Sequence, residues 1–251
     1  MATATVALVF VPGTVAAGVW WLDSYYVQKA LNAALLVTAP IIAAAVGVLS
    51  RFMSCPTAEH VDAARRVISY TYTTRELGIV YRRDGVNNPV LAFCNHEDSL
   101  ELSRQQEPDL MTSYADADLA GDISTRRSTT GVCVLLNGGL VAWISRLQPT
   151  VALSTTEAET IATTDCVKLL MHLRLLLREL GREQQQPTIV YEDNQATQAI
   201  LKTGKVDVSL GHVGRTHELY IPFVAEQYKK GTCVICDCHT QSMLSLIHIS
   251  E

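Results

Sequence analysis

Three acidic residues that lie far apart in the chain have the type and placement expected of a metal site. Asp116 lies in a predicted strand, Glu159 in the first turns of a predicted long helix, and Asp193 at the carboxyl end of a later predicted strand. Carboxylate oxygens of this kind suit Mg²⁺ or Mn²⁺. Two such ions roughly 3.5–4 Å apart can activate a water and stabilise a leaving 3′ oxygen. The three acids therefore predict metal-dependent phosphodiester hydrolysis if the fold brings them together.

Each acid also has an ordinary structural explanation. A single Asp at the end of a strand is usually a turn or cap residue. Glu157, two residues before Glu159, is better explained as the second member of a capping box that begins at Ser154. Asp118 shares a face of its predicted strand with Asp116, so the two-residue period leaves it as a competing metal ligand.

The order of the predicted elements indicates how the acids could meet. Alternation and turn signals after residue 109 predict three strands, a long helix, a strand, two helices and a last strand, at 110–118, 132–136, 140–147, 154–180, 187–193, 194–203, 217–230 and 232–237. A meander followed by right-handed crossovers predicts an α/β fold, a mixed five-stranded sheet with helices packed on it. If the fourth strand lies parallel beside the first, Asp116 and Asp193 become neighbours.

The composition excludes several classes of protein. The 251 residues are 48% apolar and 18% charged, so the chain is neither wholly disordered nor collagen-like. A net charge of −5 excludes coating of nucleic acid by bulk positive charge, so any such contact needs a local basic patch. The seven cysteines are scattered and odd in number, which favours reduced thiols in an intracellular protein, cytoplasmic or nuclear.

The distribution of apolar, turn-forming and charged residues divides the chain into five predicted segments. They are an apolar N-terminal segment at 1–50, a small helix and strand connection at 51–85, a linker at 86–109, the α/β domain at 110–244 and a tail at 245–251. No basic residue precedes the first apolar run, so a signal peptide fits poorly. The second run, residues 31–49, is about long enough to span a bilayer, and a buried helix pair is the alternative.

Two clusters of polar residues are candidates for contact with nucleic acid. Arg126 and Arg127 follow the first strand, and donors in this turn could hold phosphates, although a solvated hairpin turn would have the same composition. The residues assigned to nucleic-acid binding are Arg126, Arg127, Ser128, Thr129, Asn194 and Gln195. A basic edge could be extended by Lys202, Lys205 and Arg215.

A cysteine-rich stretch near the end of the domain has the spacing of half a zinc knuckle. It consists of Cys233, Cys236, Cys238 and His239. A second ligand pair is missing, and His212 and His217 are only loosely placed. The same stretch alternates like a strand, and we favour that interpretation. His212 and His217 could also assist product release, or lie on the surface.

Two long stretches resemble the ribonuclease H region of copia-type retrotransposon polyproteins. They are SYADADLAGDISTRRSTTGVCVLLNGGLVAWISRLQPTVALSTTEAETIATT at 113–164 and TIVYEDNQATQAILKTG at 188–204. Residues 46–85 resemble the segment that follows the reverse transcriptase in those polyproteins, and residues 215–240 resemble, less closely, the last helix and strand of the family. The resemblance covers about residues 29–244.

The resemblance implies a function that agrees with the placement of the acids. It makes Asp116, Glu159 and Asp193 the first three of the ribonuclease H carboxylates. It implies Mg²⁺- or Mn²⁺-dependent cleavage of the RNA strand of an RNA–DNA hybrid, on the mixed sheet predicted above. The implied partners are the hybrid and the reverse transcriptase of a parent polyprotein.

The chain departs from the family pattern at several positions. Leu246 stands where the family has its fourth carboxylate, and the tail at 245–251 has no resemblance to the family. Leu119 replaces a usual Trp, and Thr160 replaces the usual Tyr after the catalytic Glu. We expect impaired or lost cleavage, because one metal ion would lack a charged ligand.

Two alternatives to an active nuclease remain open. The first is a non-catalytic nucleic-acid-binding remnant of a copia-type polyprotein. The second is a small membrane-anchored protein, which depends only on the apolar residues 1–49. The resemblance argues against the second, because Ala39 and Ile41 replace a charged pair of the family and make an ordinary helix look like a membrane span.

Overall fold

The structure is a computed structural model that describes residues 39–74, 110–205 and 219–238. The chain divides into two units, residues 1–79 and 80–251, and each is described by itself. The predicted linker at 86–109 and the tail at 245–251 lie outside the described residues.

The described part of the first unit is a pair of helices, α1 (Ala39–Ser50) and α2 (Ala58–Thr73). A side-chain cap begins α2. The hydroxyl of Thr57 accepts a hydrogen bond from the backbone N–H of His60, and His60 Nδ1 accepts one from the N–H of Thr57 at 3.0 Å. These contacts satisfy two N–H groups at the helix start. Within the described residues, no helix has the length and apolar character needed to cross a membrane.

The second unit contains the mixed five-stranded sheet that the sequence predicts. Its strands are β1 (Met111–Ala117), β2 (Thr129–Leu136), β3 (Gly139–Leu147), β4 (Thr188–Glu192) and β5 (Cys233–Asp237). They lie in the order β3-β2-β1-β4-β5. The first three are antiparallel neighbours, whereas β4 runs parallel to both β1 and β5. The predicted fold class is therefore confirmed.

The β2–β3 hairpin forms at the predicted turn. Asn137 and Gly138 have φ of 52° and 77°, the positive values that a two-residue hairpin turn requires. The start of β2 was predicted too late, at residue 132. Thr129 already pairs with Leu147, so the polar residues before the apolar run also belong to the ladder.

Three described helices follow the meander: α3 (Thr155–Glu179), α4 (Gln195–Thr203) and α5 (Tyr220–Lys229). Ser154 caps α3 as predicted, because its Oγ accepts from the N–H of Glu157 at 3.2 Å. The second half of the predicted capping box differs. Glu157 Oε2 accepts from the N–H of Leu153 at 2.7 Å, one residue before the cap. Gly204 ends α4 with a φ of 72°.

The main core lies between the sheet and these helices. Its members are apolar side chains of the strands and of the inner helix faces, among them Met111, Val132, Val134, Val167, Leu170, Val190, Leu201, Val224 and Ile235. A second cluster contains only small residues, Ala117, Ala152, Ala158 and Ala162. Because alanine side chains are short, the first turns of α3 pack closely against the end of β1. This close approach determines where Glu159 lies.

Candidate metal centre

The parallel pairing of β1 and β4 brings two of the predicted acids to the same edge of the sheet. Tyr114 is in register with Tyr191. Asp116 comes two residues after Tyr114, and Asp193 comes two residues after Tyr191. The two acids therefore occupy equivalent positions at the carboxyl ends of adjacent central strands, where ligands of open α/β sheets bind.

The third acid comes from the second turn of α3. Glu159 is adjacent to Ala158, which belongs to the alanine cluster that packs α3 against the end of β1. Gln148, the residue after β3, fixes this turn further. Its Nε2 donates to the carbonyl of Ala158 at 3.0 Å and to Thr130 Oγ1 at 3.1 Å. A buried amide thus links the helix turn that carries Glu159 to strand β2.

The three carboxylates converge. One oxygen from each of Asp116, Glu159 and Asp193 lies within 4.8 Å of the other two. Across residues 39–74, 110–205 and 219–238, no other set of three or more His, Cys, Asp or Glu side chains converges in this way. Asp116 and Glu159 are 5% and 6% exposed, whereas Asp193 is partly accessible, so solvent reaches the group from one side.

The electrostatics of the group are unfavourable without a cation. Burial raises the pKa of Glu159 well above its usual range, and the neighbouring carboxylates of Glu192, Asp116 and Asp193 raise it further. Burial also raises the pKa of Glu192. Hydrogen bonds from Thr163 and from the backbone of Asn194 act against this increase. Like charges forced together in a desolvated place are stabilised by a positive ion or by protonation.

The residues present fit a hard divalent cation. All three donors are carboxylates, the ligand type preferred by Mg²⁺ and Mn²⁺. Glu159 Oε2 is buried and makes no hydrogen bond to any described residue. A buried carboxylate oxygen without a donor is costly, and coordination would satisfy it. The three carboxylates could therefore hold such an ion.

Asp118, the competing metal ligand, and Glu157, the predicted capping residue, both lie outside the convergent group. Asp118 follows β1, and its Oδ1 accepts a hydrogen bond from the backbone N–H of Thr129. Burial raises its pKa, and the Thr129 hydrogen bond opposes that increase. Glu157 caps the start of α3, as its neighbourhood in the sequence predicted.

The predicted phosphate-binding residues in the turn between β1 and β2 differ from one another in their exposure to solvent. Arg126 is exposed and has a φ of 57°, with its N–H donating to the carbonyl of Asp122 at 2.7 Å. Arg127 and Thr129 are partly exposed. Ser128 is fully buried, and its hydroxyl accepts from the N–H of Ala120 at 3.1 Å. The side chain of Ser128 thus fixes the turn, and a phosphate contact of this residue stays a prediction.

Of the residues after β4, one caps a helix and others are accessible to solvent. Asn194 Oδ1 accepts from the N–H of Thr197 at 3.1 Å, so Asn194 is the N-cap of α4. Gln195 and Lys205 are exposed, and Lys202 is partly exposed. Arg215 lies outside the described residues.

The cysteine-rich stretch forms β5, as the alternation predicted. Cys233 and Cys236 are buried in the sheet, in register with Thr188 and Tyr191, and Cys238 is buried just after the strand. Within the part of the chain that the structure describes, cysteines contribute to no convergent ligand group. His212, His217, His239 and Leu246 lie outside the described residues.

The sequence analysis missed three residues that surround the site: Gln148, Thr163 and Glu192. Glu192 is fully buried at the end of β4, where it accepts a 2.7 Å hydrogen bond from Thr163 Oγ1. One signal was available, because a Glu directly after Ile-Val-Tyr in a short central strand has to be buried. Gln148 offered no signal, since a Gln after a strand is ordinarily exposed.

Comparison with known proteins identifies the relatives of the chain. No protein-family model matches it. It is 36% identical over 180 residues to the retrovirus-related Pol polyprotein from transposon TNT 1-94 of Nicotiana tabacum, a match that covers 72% of this chain and 12% of that protein. It is 28% identical over 211 residues to the Pol polyprotein from transposon RE1 of Arabidopsis thaliana, covering 84% of this chain and 13% of that protein.

A shorter relative and two solved structures also match. The secreted RxLR effector protein 161 of Plasmopara viticola is 39% identical over 134 residues, covering 53% of this chain and 79% of that protein. A ribonuclease H1 isolated from compost matches 53% of this chain and 86% of its own, with 13% identity and a TM-score of 0.38. A foamy viral protease-reverse transcriptase matches 85% of this chain and 24% of its own, with 14% identity and a TM-score of 0.41.

The family assignment depends on the sequence relatives, because the TM-scores of the structural matches are low. The matched region spans 12% and 13% of the lengths of the two transposon polyproteins. The mixed five-stranded sheet is the fold that the resemblance to ribonuclease H implied. The chain is homologous to a small part of the copia-type, retrovirus-related Pol polyproteins of transposons, and its second unit has the mixed five-stranded sheet of the ribonuclease H-like fold class.

Proposed function

We propose that the second unit is a metal-dependent nuclease domain that hydrolyses the RNA strand of RNA–DNA hybrids. The observation that supports this proposal is the convergence of Asp116, Glu159 and Asp193 within 4.8 Å at the carboxyl ends of β1 and β4. In this proposal the three acids are metal ligands, and Mg²⁺ or Mn²⁺ is the cofactor. Asp118 is not a ligand, because its carboxylate holds the start of β2.

An ion held by these acids would supply a bound water of lowered pKa and would stabilise charge on the leaving oxygen. The protein contributes the positions of its donors. Packing buries Asp116 and Glu159 almost completely, whereas Asp193 is partly accessible, so a phosphate would approach from the side of Asp193. The buried interior behind the acids has a low dielectric constant, which strengthens the attraction between the acids and a cation.

Hybrid binding is proposed for the accessible residues of the turn between β1 and β2 and of the segment that follows β4. Arg126 and Arg127 supply the positive charge that the chain lacks overall, and Thr129, Asn194 and Gln195 are polar neighbours in sequence. Contacts of this kind with phosphates position a nucleic acid without selecting its sequence. The reverse transcriptase of a parent polyprotein is a further proposed partner.

We also propose that cleavage is impaired, because Leu246 occupies the place of a fourth acid in the family resemblance. The same substitution is what favours the second candidate, a hybrid-binding remnant without catalysis. The two candidates differ in one measurable respect. An impaired nuclease retains metal-dependent cleavage that an added carboxylate at position 246 increases, whereas a remnant binds the hybrid and does not cleave it.

The test is a cleavage assay on an end-labelled RNA–DNA hybrid with Mg²⁺ or Mn²⁺, and with EDTA as the blank. We expect slow cleavage by the wild type, faster cleavage by Leu246→Asp and none by Asp193→Asn. Asp165→Asn is the matched control, because Asp165 pairs with Arg146 at 2.7 Å and lies outside the metal group. Absence of cleavage by both the wild type and Leu246→Asp would overturn the nuclease proposal and leave the remnant.

A further inference from the structure

We propose that Thr163 and Glu192 are positioning residues that hold Glu159 and Asp193 in the geometry needed for metal binding. This inference rests on the proposed function, in which those two acids are metal ligands. It concerns a hydrogen bond that crosses from helix α3 to strand β4 beneath the site. Neither residue belongs to the convergent metal group of Asp116, Glu159 and Asp193.

Glu192 is a fully buried carboxylate whose two oxygens both have donors. Thr163 Oγ1 donates to Glu192 Oε2 at 2.7 Å, and the N–H of Asn194 donates to Glu192 Oε1 at 3.1 Å. Both Thr163 and Glu192 have no solvent exposure. A buried carboxylate satisfied on both oxygens is held in one orientation, since any rotation would leave it without a donor.

The two ends of this contact lie next to the two metal ligands. Thr163 is four residues after Glu159 on α3, so the two side chains lie on the same face of the helix, one turn apart. On the other side, Glu192 and Asn194 flank Asp193 directly. One side chain therefore connects the helix turn after Glu159 to the residues on both sides of Asp193.

The strand end that Glu192 occupies is itself fixed. Gln198 Nε2 donates to the backbone carbonyl of Glu192 at 2.8 Å and to Asp237 Oδ1 at 2.9 Å. These contacts tie the end of β4 to α4 and to the end of β5. Because the strand end cannot shift easily, the Thr163 contact ties the turn of α3 after Glu159 to a fixed point of the sheet.

The threonine that follows Thr163 provides a matched control. Thr164 is also fully buried on α3, but its Oγ1 donates to the carbonyl of Thr160 at 2.7 Å, within the helix. Thr163→Val and Thr164→Val therefore make the same isosteric change one residue apart. Only the first removes a contact between the helix and the sheet.

The experiment uses the full chain and two measurements. Isothermal titration with Mn²⁺ gives metal affinity, and hydrogen exchange in EDTA reports the opening of the backbone around residues 155–163 and 192–196. Mutation of a residue that orients a ligand typically weakens metal binding by about 10- to 100-fold. We expect Thr163→Val to raise the dissociation constant by about tenfold and to speed exchange in both segments. Thr164→Val should stay near the wild type, and Thr163→Ser should restore both values.

Equal effects of Thr163→Val and Thr164→Val on metal affinity and on exchange would overturn the inference. Glu192→Gln separates orientation from charge, because a hydroxyl can accept from the new amide while the amide oxygen still accepts from Asn194. Near-wild-type exchange in Glu192→Gln, with fast exchange in Glu192→Met, supports the orienting role. Failure of the wild type to bind Mn²⁺ would contradict the proposed function, whereas the exchange data in EDTA would still decide whether Thr163 fixes the two segments.

Discussion

Replacing Glu159 with Gln should stabilise the metal-free protein at neutral pH while it abolishes metal binding. The buried carboxyl of Glu159 lies beside Glu192, Asp116 and Asp193, and its pKa is raised from an ordinary 4.5 to about 11. An acid with a raised pKa in the folded state binds its proton more tightly when folded than when unfolded. The free energy of unfolding is therefore greatest below pH 4.5 and decreases as the pH rises towards the folded pKa.

The size of this effect at pH 7 depends on the unfolded pKa alone, because the folded carboxyl is still protonated there. Two and a half pH units at about 1.4 kcal/mol per unit give a loss of about 3 kcal/mol. Gln cannot ionise and therefore escapes this loss. The stability of Glu159→Gln relative to the wild type should increase by about 3 kcal/mol between pH 4.5 and pH 7.

Urea denaturation in EDTA at several pH values measures the difference in stability between Glu159→Gln and the wild type. A second series with added Mg²⁺ measures how much the metal stabilises each protein. We expect Mg²⁺ to stabilise the wild type and to leave Glu159→Gln unchanged. Glu157→Gln is the control on the same helix. It is buried, and its carboxylate accepts from the N–H of Leu153 at the helix start, so the loss of its negative charge should weaken that bond and lower stability. A relative stability of Glu159→Gln that does not change with pH would refute the reasoning.

Three further predictions concern hybrid binding and the buried hydrogen bonds of the second unit. Arg126→Glu with Arg127→Glu should weaken hybrid binding and reduce the slope of log K against log salt by about one per lost phosphate contact, measured by fluorescence anisotropy. Gln148→Leu should lower the free energy of unfolding by about 1–3 kcal/mol, because the buried groups of Thr130 and Ala158 lose their donor. Arg174→Met should lower it by about 2 kcal/mol in urea denaturation, since the guanidinium donates to the carbonyls of residues 184 and 186.

The mixed five-stranded sheet was predictable because local signals and connection rules determine most of it. The Asn137-Gly138 turn fixes the antiparallel β2–β3 pair, and right-handed crossovers leave few places for the later strands. The three convergent acids followed from that topology, since Asp116 and Asp193 end adjacent parallel strands. Their role as metal ligands stays a prediction.

The residues that support the acids were not predictable from local signals. The buried state of Ser128 depends on how the β1–β2 turn folds back onto Ala120, and turn composition does not determine that. The partner of Glu192 is 29 residues away, on a helix whose rotation about its axis depends on packing. Sequence pattern gives the face of a helix, but the exact depth of its docking comes from the sizes of side chains such as Ala158 and Ala162.

The electrostatic cost of the site connects its stability to its proposed function. A cost of about 3 kcal/mol at neutral pH is a substantial fraction of the stability of an ordinary domain. An ion present at about a hundred times its dissociation constant stabilises the folded state by about 2.7 kcal/mol. The two quantities are nearly equal, so Mg²⁺ at that level would offset the cost of burying the carboxyl of Glu159 beside the other acids. Without such an ion the buried carboxyl of Glu159 destabilises the fold at neutral pH, and a neutral substitution at this position would be favourable. A metal-dependent gain in stability that the wild type shows and Glu159→Gln lacks therefore demonstrates metal binding at these acids, and the cleavage assay then decides between an impaired nuclease and a remnant.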